Sequence, residues 1–190
     1  MVPALINLVD DSAVDAIGLN PGAIHAIWTL NLLGALEGPA ADPLAVARVQ
    51  SAVLHPSAGV RMNALKALPR DAGTLATLAG ANLATDPAPL VRLAVLEALS
   101  EWKPAAEAGA IVTAMLADPR TLADPILADA ATSAAAVQSA AVLPALLSAK
   151  HEATQQRLGV IERVAEHVAR GTDAAAVSAT LVQLATVPRA

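Results

Sequence analysis

From Asn20 onward the apolar residues of this chain recur at three- and four-residue intervals, and no segment alternates with a period of two. Ile24, Ile27, Trp28 and Leu32 fall on one helical face that runs to about Leu36. Further on, Val91, Ala94, Val95, Ala98 and Leu99 form one stripe and Leu90, Leu93 and Leu96 a second, the pattern of a helix covered on two sides. Asn20-Pro21 predicts a helix start, because Asn accepts a backbone hydrogen bond as N-cap and Pro suits the first helical position. The same signal predicts starts at Asp42-Pro43, His55-Pro56, Asp86-Pro87, Asp118-Pro119 and Asp124-Pro125. Together these give helix pairs 21–36 with 43–54, 57–68 with 72–84, 88–101 with 105–117, 125–137 with 140–149, and 152–170 with 173–186.

The two ends read differently. Residues 3–9 are expected to be the end of a helix whose apolar face, Ala4, Leu5, Leu8 and Val9, has nothing before it to cover it, which suggests excision from something longer; 14–19 is a connecting loop. In 152–170 the reading turns Leu158, Ile161, Ala165 and Val168 inward. It places Arg157, Glu162, Arg163, Glu166, His167 and Arg170 outside, with Glu166 and Arg170 in the favourable i,i+4 order. That extra charge suits a capping repeat, although Leu181, Leu184 and Val187 leave an apolar stripe.

One stretch repeats. His55-Pro-Ser-Ala-Gly-Val-Arg-Met-Asn-Ala-Leu-Lys-Ala-Leu68 returns 31 residues later as Asp86-Pro-Ala-Pro-Leu-Val-Arg-Leu-Ala-Val-Leu-Glu-Ala-Leu99, with Pro, Val, Arg, Leu, Ala and Leu in register. Pro21, Pro56, Pro87 and Pro119 mark units spaced by 35, 31 and 32 residues, and Lys150-His151-Glu152 stands near the next start. A period of this size carried by helix formers predicts about five stacked helical hairpins.

The Asp-Pro-x-x-x-Val-Arg pattern resembles the HEAT repeat over about residues 20–149. The resemblance implies an all-α, HEAT-like α-solenoid of about five antiparallel helix pairs. It would form a single domain over 1–190, with 1–19 a helix end plus loop, 20–149 the core repeats and 150–190 a C-terminal, capping repeat. In HEAT repeats a turn Asp and an early helical Arg tie neighbouring units together. Arg61 and Arg92 are therefore expected to be structural, and Asp86 and Asp118 to be turn and N-cap acids. The competing reading is an Arg pair that binds an anion. A narrower resemblance lies in Gly18-Leu-Asn-Pro-Gly-Ala-Ile-His-Ala-Ile-Trp-Thr-Leu30, with Leu33-Gly-Ala-Leu36 and His55-Pro-Ser-Ala-Gly-Val-Arg61. It is similar to the HEAT segment of large bacterial proteins assigned as membrane-bound or sugar dehydrogenases, where that segment lies between a β-propeller and a c-type haem domain. By that resemblance any oxidoreductase activity would belong to other domains of a parent protein, in the periplasm or cell envelope.

Composition narrows the chemistry. The chain is 55% hydrophobic and 15% charged, with net charge -5 and twelve basic residues that do not cluster, which disfavours nucleic acid and anionic lipid as partners. Without cysteine the 190 residues hold no disulfide, thiolate catalyst, Cys-ligated zinc or covalently attached haem. Phe and Tyr are absent as well, so the apolar mass is Ala, Leu and Val, which suits helices packed at close range and stabilised by many small contacts. Two windows free of formal charge, 16–36 and 130–149, are interrupted by Asn20-Pro21-Gly22 and His25, and by Thr132, Ser133, Gln138, Ser139 and Pro144, so no membrane insertion is expected.

No spacing selects a catalytic set, a metal site or a cofactor site. Glu162, Glu166 and His167 imitate a cluster but read as part of a solvated ion-pair face, and His151 and His167 lie outside local zinc spacing. The candidate binding surface is His25, Trp28 and Asn31, where Trp offers an apolar platform and His and Asn hydrogen bonds. Its structural counterpart is a core Trp beside a hydrogen-bonded His, and Trp102 is expected to cover a helix end. The chain thus reads as a non-catalytic scaffold for a protein or for neighbouring domains of its own parent chain, with homo-oligomerisation through apolar repeat ends. The alternatives are a glycan or small-molecule binder and a designed or trimmed array.

Overall fold

A computed structural model describes residues 1–148, 154–171, 177–178 and 181–182. Among them every regular element is helical. The chain divides into two compact units, Met1–Ala98 and Leu99–Ala190.

The first unit holds α1 (Val2–Val9), α2 (Pro21–Leu32), α3 (Pro43–Ser51) with a 3-10 turn at Ala52–Leu54, α4 (Ala58–Ala67), and α5 (Ala72–Gly80) with a 3-10 turn at Leu83–Thr85. It also takes in most of α6 (Pro89–Glu101). α2 packs against α1 and α4, and α1 also meets α3. The second unit holds α7 (Ala106–Ala117), the five-residue α8 (Pro119–Ala123), α9 (Pro125–Val137), α10 (Ser139–Ser148) and α11 (Gln155–Arg170). There α7 meets α9 and α10, and α11 meets both α9 and α10.

The X-Pro signals divide into two kinds. At Asn20-Pro21, Asp42-Pro43, Asp118-Pro119 and Asp124-Pro125 the polar side chain caps the helix and Pro is its first residue. Asp42 Oδ1 accepts from the N–H groups of Leu44 (2.9 Å) and Ala45 (3.3 Å), and Asp124 Oδ1 from those of Ile126 (2.9 Å) and Leu127 (3.2 Å). At His55-Pro56 and Asp86-Pro87 the helix starts later, at Ala58 and Pro89, and the dipeptide forms a turn instead. The start at Asp118-Pro119 opens a five-residue helix of its own, Pro119–Ala123, which the expected helix pairs do not include.

Several helical faces differ from those expected. α2 buries Ala23, Ala26, Ile27 and Leu30, whereas Leu32 is 84% exposed and Trp28 36% exposed. α1 buries Ile6 and Val9, leaving Leu8 outside. On α6 the first stripe is buried and Leu96 with it, but Leu90 is 61% exposed. On α11 the inward row is Arg157, Val160 and Val164, and Leu158 faces out. On α2 and α6 the inward positions include Ala23, Ala26, Ala94 and Ala98, and close packing of such small side chains fills the core, so a large apolar residue does not by itself mark the inward face.

Trp102 is buried in the second unit. The fifth-unit start at Lys150-His151-Glu152 and most of the predicted helix 173–186, including Leu184, and Val187 beyond it, lie outside the described residues. No single helix among the described residues is long and apolar enough to cross a membrane.

Candidate functional site

The repeated stretch builds the densest polar cluster of the first unit. In the later copy, Asp86 Oδ1 accepts the Ala88 N–H at 2.8 Å, closing the turn, and Arg92 Nη1 donates to the Asp86 carbonyl at 2.7 Å. In the earlier copy, His55 Nδ1 accepts the Ser57 N–H at 2.9 Å, and Arg61 Nη1 donates to the carbonyls of His55 (2.8 Å) and Pro56 (3.0 Å). Each arginine thus gathers the carbonyls of the turn before its own helix. Proline cannot supply a main-chain donor there, and the guanidinium fork can reach two acceptors at once.

Arg61 also reaches forward. Its Nε and Nη2 donate to Asp86 Oδ2 (2.8 Å) and Oδ1 (2.9 Å), a bidentate pair that is almost wholly out of solvent. One turn is thereby tied to the next. With Nδ1 engaged as acceptor, His55 is the neutral tautomer carrying its proton on Nε2, which donates to the Asp11 carbonyl at 2.9 Å. The same carbonyl accepts from Asn20 Nδ2 at 2.7 Å, while Asn20 Oδ1 caps α2 through the Ala23 N–H.

The residues proposed as a binding surface are partly engaged in packing α2 on α4. Trp28 Nε1 donates to Asn63 Oδ1 at 2.7 Å, and Asn63 Nδ2 in turn donates to the Gly59 carbonyl at 2.8 Å. Asn31 Nδ2 donates to the Ala67 carbonyl at 3.1 Å, at the end of α4. Trp28 is therefore not a core residue, and its polar atom is satisfied across the helix pair. His25, Trp28 and Leu32 are all exposed and share one face of α2 by their spacing.

In the second unit Asp118 caps α8 through the Arg120 N–H and forms a bidentate pair with the Arg120 guanidinium. That hydrogen bond, and then the charge behind it, raises Arg120 above its ordinary pKa. Glu166 pairs with Arg170 at 3.2 Å on the exposed side of α11, where Glu162, Arg163 and His167 are exposed too. No group of three His, Asp or Glu side chains that could hold a metal ion occurs among the described residues.

Two polar residues escaped the sequence reading. Gln138, buried where α9 gives way to α10, accepts the Ala105 N–H at Oε1 (2.9 Å) and donates from Nε2 to the carbonyls of Leu99 and Trp102 (both 3.2 Å). It satisfies main-chain groups on both sides of Lys103-Pro104, where the helical ladder is interrupted. A lone Gln in an Ala-rich run carries no signal of this. Arg157 is the other: burial lowers its pKa, and its guanidinium makes no hydrogen bond among the described residues. Compared with known proteins, the chain matches no protein-family model, no curated protein and no solved structure.

Proposed function

We propose that this chain is a non-catalytic helical-repeat scaffold, a HEAT-like array of hairpins that holds a protein partner or neighbouring domains of its own parent chain. The observation that carries this reading is the pair of equivalent turns, in which Arg61 and Arg92 gather backbone carbonyls and Arg61 grips the acid of the following turn. Side chains that an enzyme would turn toward substrate are here used to hold successive helices. The first unit also exposes large apolar side chains that a partner could cover, among them Leu32, Leu44, Leu54 and Leu90.

Two measurements test the reading. The purified chain, mixed with aldoses and a dye electron acceptor, is expected to show no dye reduction, and sustained turnover would overturn the non-catalytic assignment. A photo-crosslinking amino acid at position 32, in the protein expressed in its native host, is expected to give one dominant protein adduct. Absence of any adduct there and at positions 44 and 90 would remove the docking role.

A glycan-binding face is the second reading, favoured by the exposure of Trp28 beside His25. Trp102 is buried, so a sugar-dependent change in emission would report on Trp28. No change with mono- and oligosaccharides, or equal affinity in Trp28→Ala, ends this alternative.

A further inference from the structure

We propose that a cavity in the second unit, beside the first turn of α11, binds a small aliphatic monocarboxylate, with the carboxylate on Arg157 and the chain against Leu116, Pro119 and Leu122. The cavity is about 380 Å³, the small end of the range for ligand pockets. Apolar residues from the end of α7 and from α8 make one wall, and Thr154, Gln156 and Arg157 make the other.

Arg157 is the reason to expect an anion. It is only 8% exposed, yet its guanidinium has no hydrogen-bond or ion-pair partner among the described residues. Other buried or half-buried arginines are served: Arg61 by Asp86, Arg70 by the carbonyls of Leu65 and Leu68, and Arg92 by that of Asp86. A guanidinium stays charged at any physiological pH, so a buried one without a counter-charge is costly. Asp118, the acid at the start of α8, is already gripped by Arg120.

The backbone adds to the same field. Thr154 Oγ1 accepts the Arg157 N–H at 3.3 Å, while the N–H groups of Gln155 and Gln156 belong to the first turn of a sixteen-residue helix, where they lack intrahelical acceptors. A carboxylate matches the guanidinium fork in two parallel hydrogen bonds. Inorganic phosphate would press a larger and more strongly hydrated charge against Leu116 and Leu122. A neutral alcohol would leave the guanidinium uncompensated.

The test uses the full chain and three probes, hexanoate, 1-hexanol and inorganic phosphate, read by calorimetric titration and by the thermal midpoint. Hexanoate is expected to saturate one site and raise the midpoint, with affinity about tenfold or more above that of hexanol. Arg157→Met is expected to lose about tenfold or more of the hexanoate affinity, and, without ligand, to unfold at the same or a higher midpoint because an unpaired charge has been removed. Arg157→Lys, which keeps the charge but not the fork, should bind hexanoate more weakly than the parent and better than Arg157→Met. Equal affinity for hexanoate and hexanol, phosphate binding without hexanoate binding, full hexanoate affinity in Arg157→Met, or a lower unliganded midpoint in that variant would each overturn the proposal.

Discussion

His55 and Asp86 stand 31 residues apart and close their turns in the same way, one with an imidazole nitrogen and the other with a carboxylate oxygen, each accepting the N–H two residues on. The substitution is not neutral in its surroundings. Asp86 takes the guanidinium of Arg61, whereas His55 uses its second nitrogen to donate to Asp11. His55→Ala should therefore lose both the turn and the tie to the loop after α1, at a cost of about 2 kcal/mol. His55→Asp should recover the turn alone and fall between the two, as urea unfolding would measure. Equal stability of the Ala and Asp variants would refute this division of roles.

The Arg61–Asp86 pair makes a sharper prediction. Asp86→Asn keeps an oxygen for the Ala88 N–H but leaves Arg61 charged and nearly buried without its counter-ion. Such a change costs about 3 kcal/mol, and the double variant Arg61→Leu with Asp86→Asn should regain part of it. A double-mutant cycle in urea measures the coupling, and additive losses would show that the pair contributes nothing beyond its separate contacts.

Gln138 connects three main-chain groups of the second unit, so Gln138→Leu removes their partners while filling a similar volume. The expected loss is about 3 kcal/mol or more, larger than for removal of an exposed hydrogen bond. Gln138→Glu separates the two halves of the role, since it can still accept from Ala105 but cannot donate to Leu99 and Trp102. Because a buried carboxylate facing two carbonyls has no counter-charge, thermal unfolding at neutral pH should order the three proteins as parent, Leu, Glu.

Two glycines test the packing. A methyl group on Gly109 would overlap that of Ala141, where α7 packs on α10. Gly109→Ala is expected to destabilise by about 2 kcal/mol, with partial rescue by Ala141→Gly. Gly159 has open space at the same position within α11, so Gly159→Ala should stabilise by about 0.8 kcal/mol through helix propensity alone. Opposite shifts in urea midpoint are the expected result.

The helix positions were legible because punctuation marks them. Asn20, Asp42 and Asp124 cap helices whose first residue is Pro, and those starts fall where the sequence places them. Which side of each helix faces in was less legible. On α2 the alanines at 23 and 26 are buried and Leu32 is not, because backbone proximity decides burial when many core side chains are only a methyl group. The start of α8 is marked by Asp118-Pro119, but its five residues carry too little periodicity to show a helix there. At the candidate surface, Trp28 and Asn31 are placed together with His25 on α2, but the sequence gives no sign that Asn63 and the end of α4 already accept their hydrogen bonds. Arg157 looked like one more solvated charge in a charged helix, and only the packing of α11 turns it inward.

The forward reach of Arg61 has a dynamic corollary. When the turn at Asp86 opens, it releases the guanidinium that also holds the carbonyls of His55 and Pro56, so the earlier turn loses an anchor at the same moment. The two turns are thereby coupled in their breathing, and amide exchange at Ser57 should quicken when the carboxylate far along the chain at position 86 is removed.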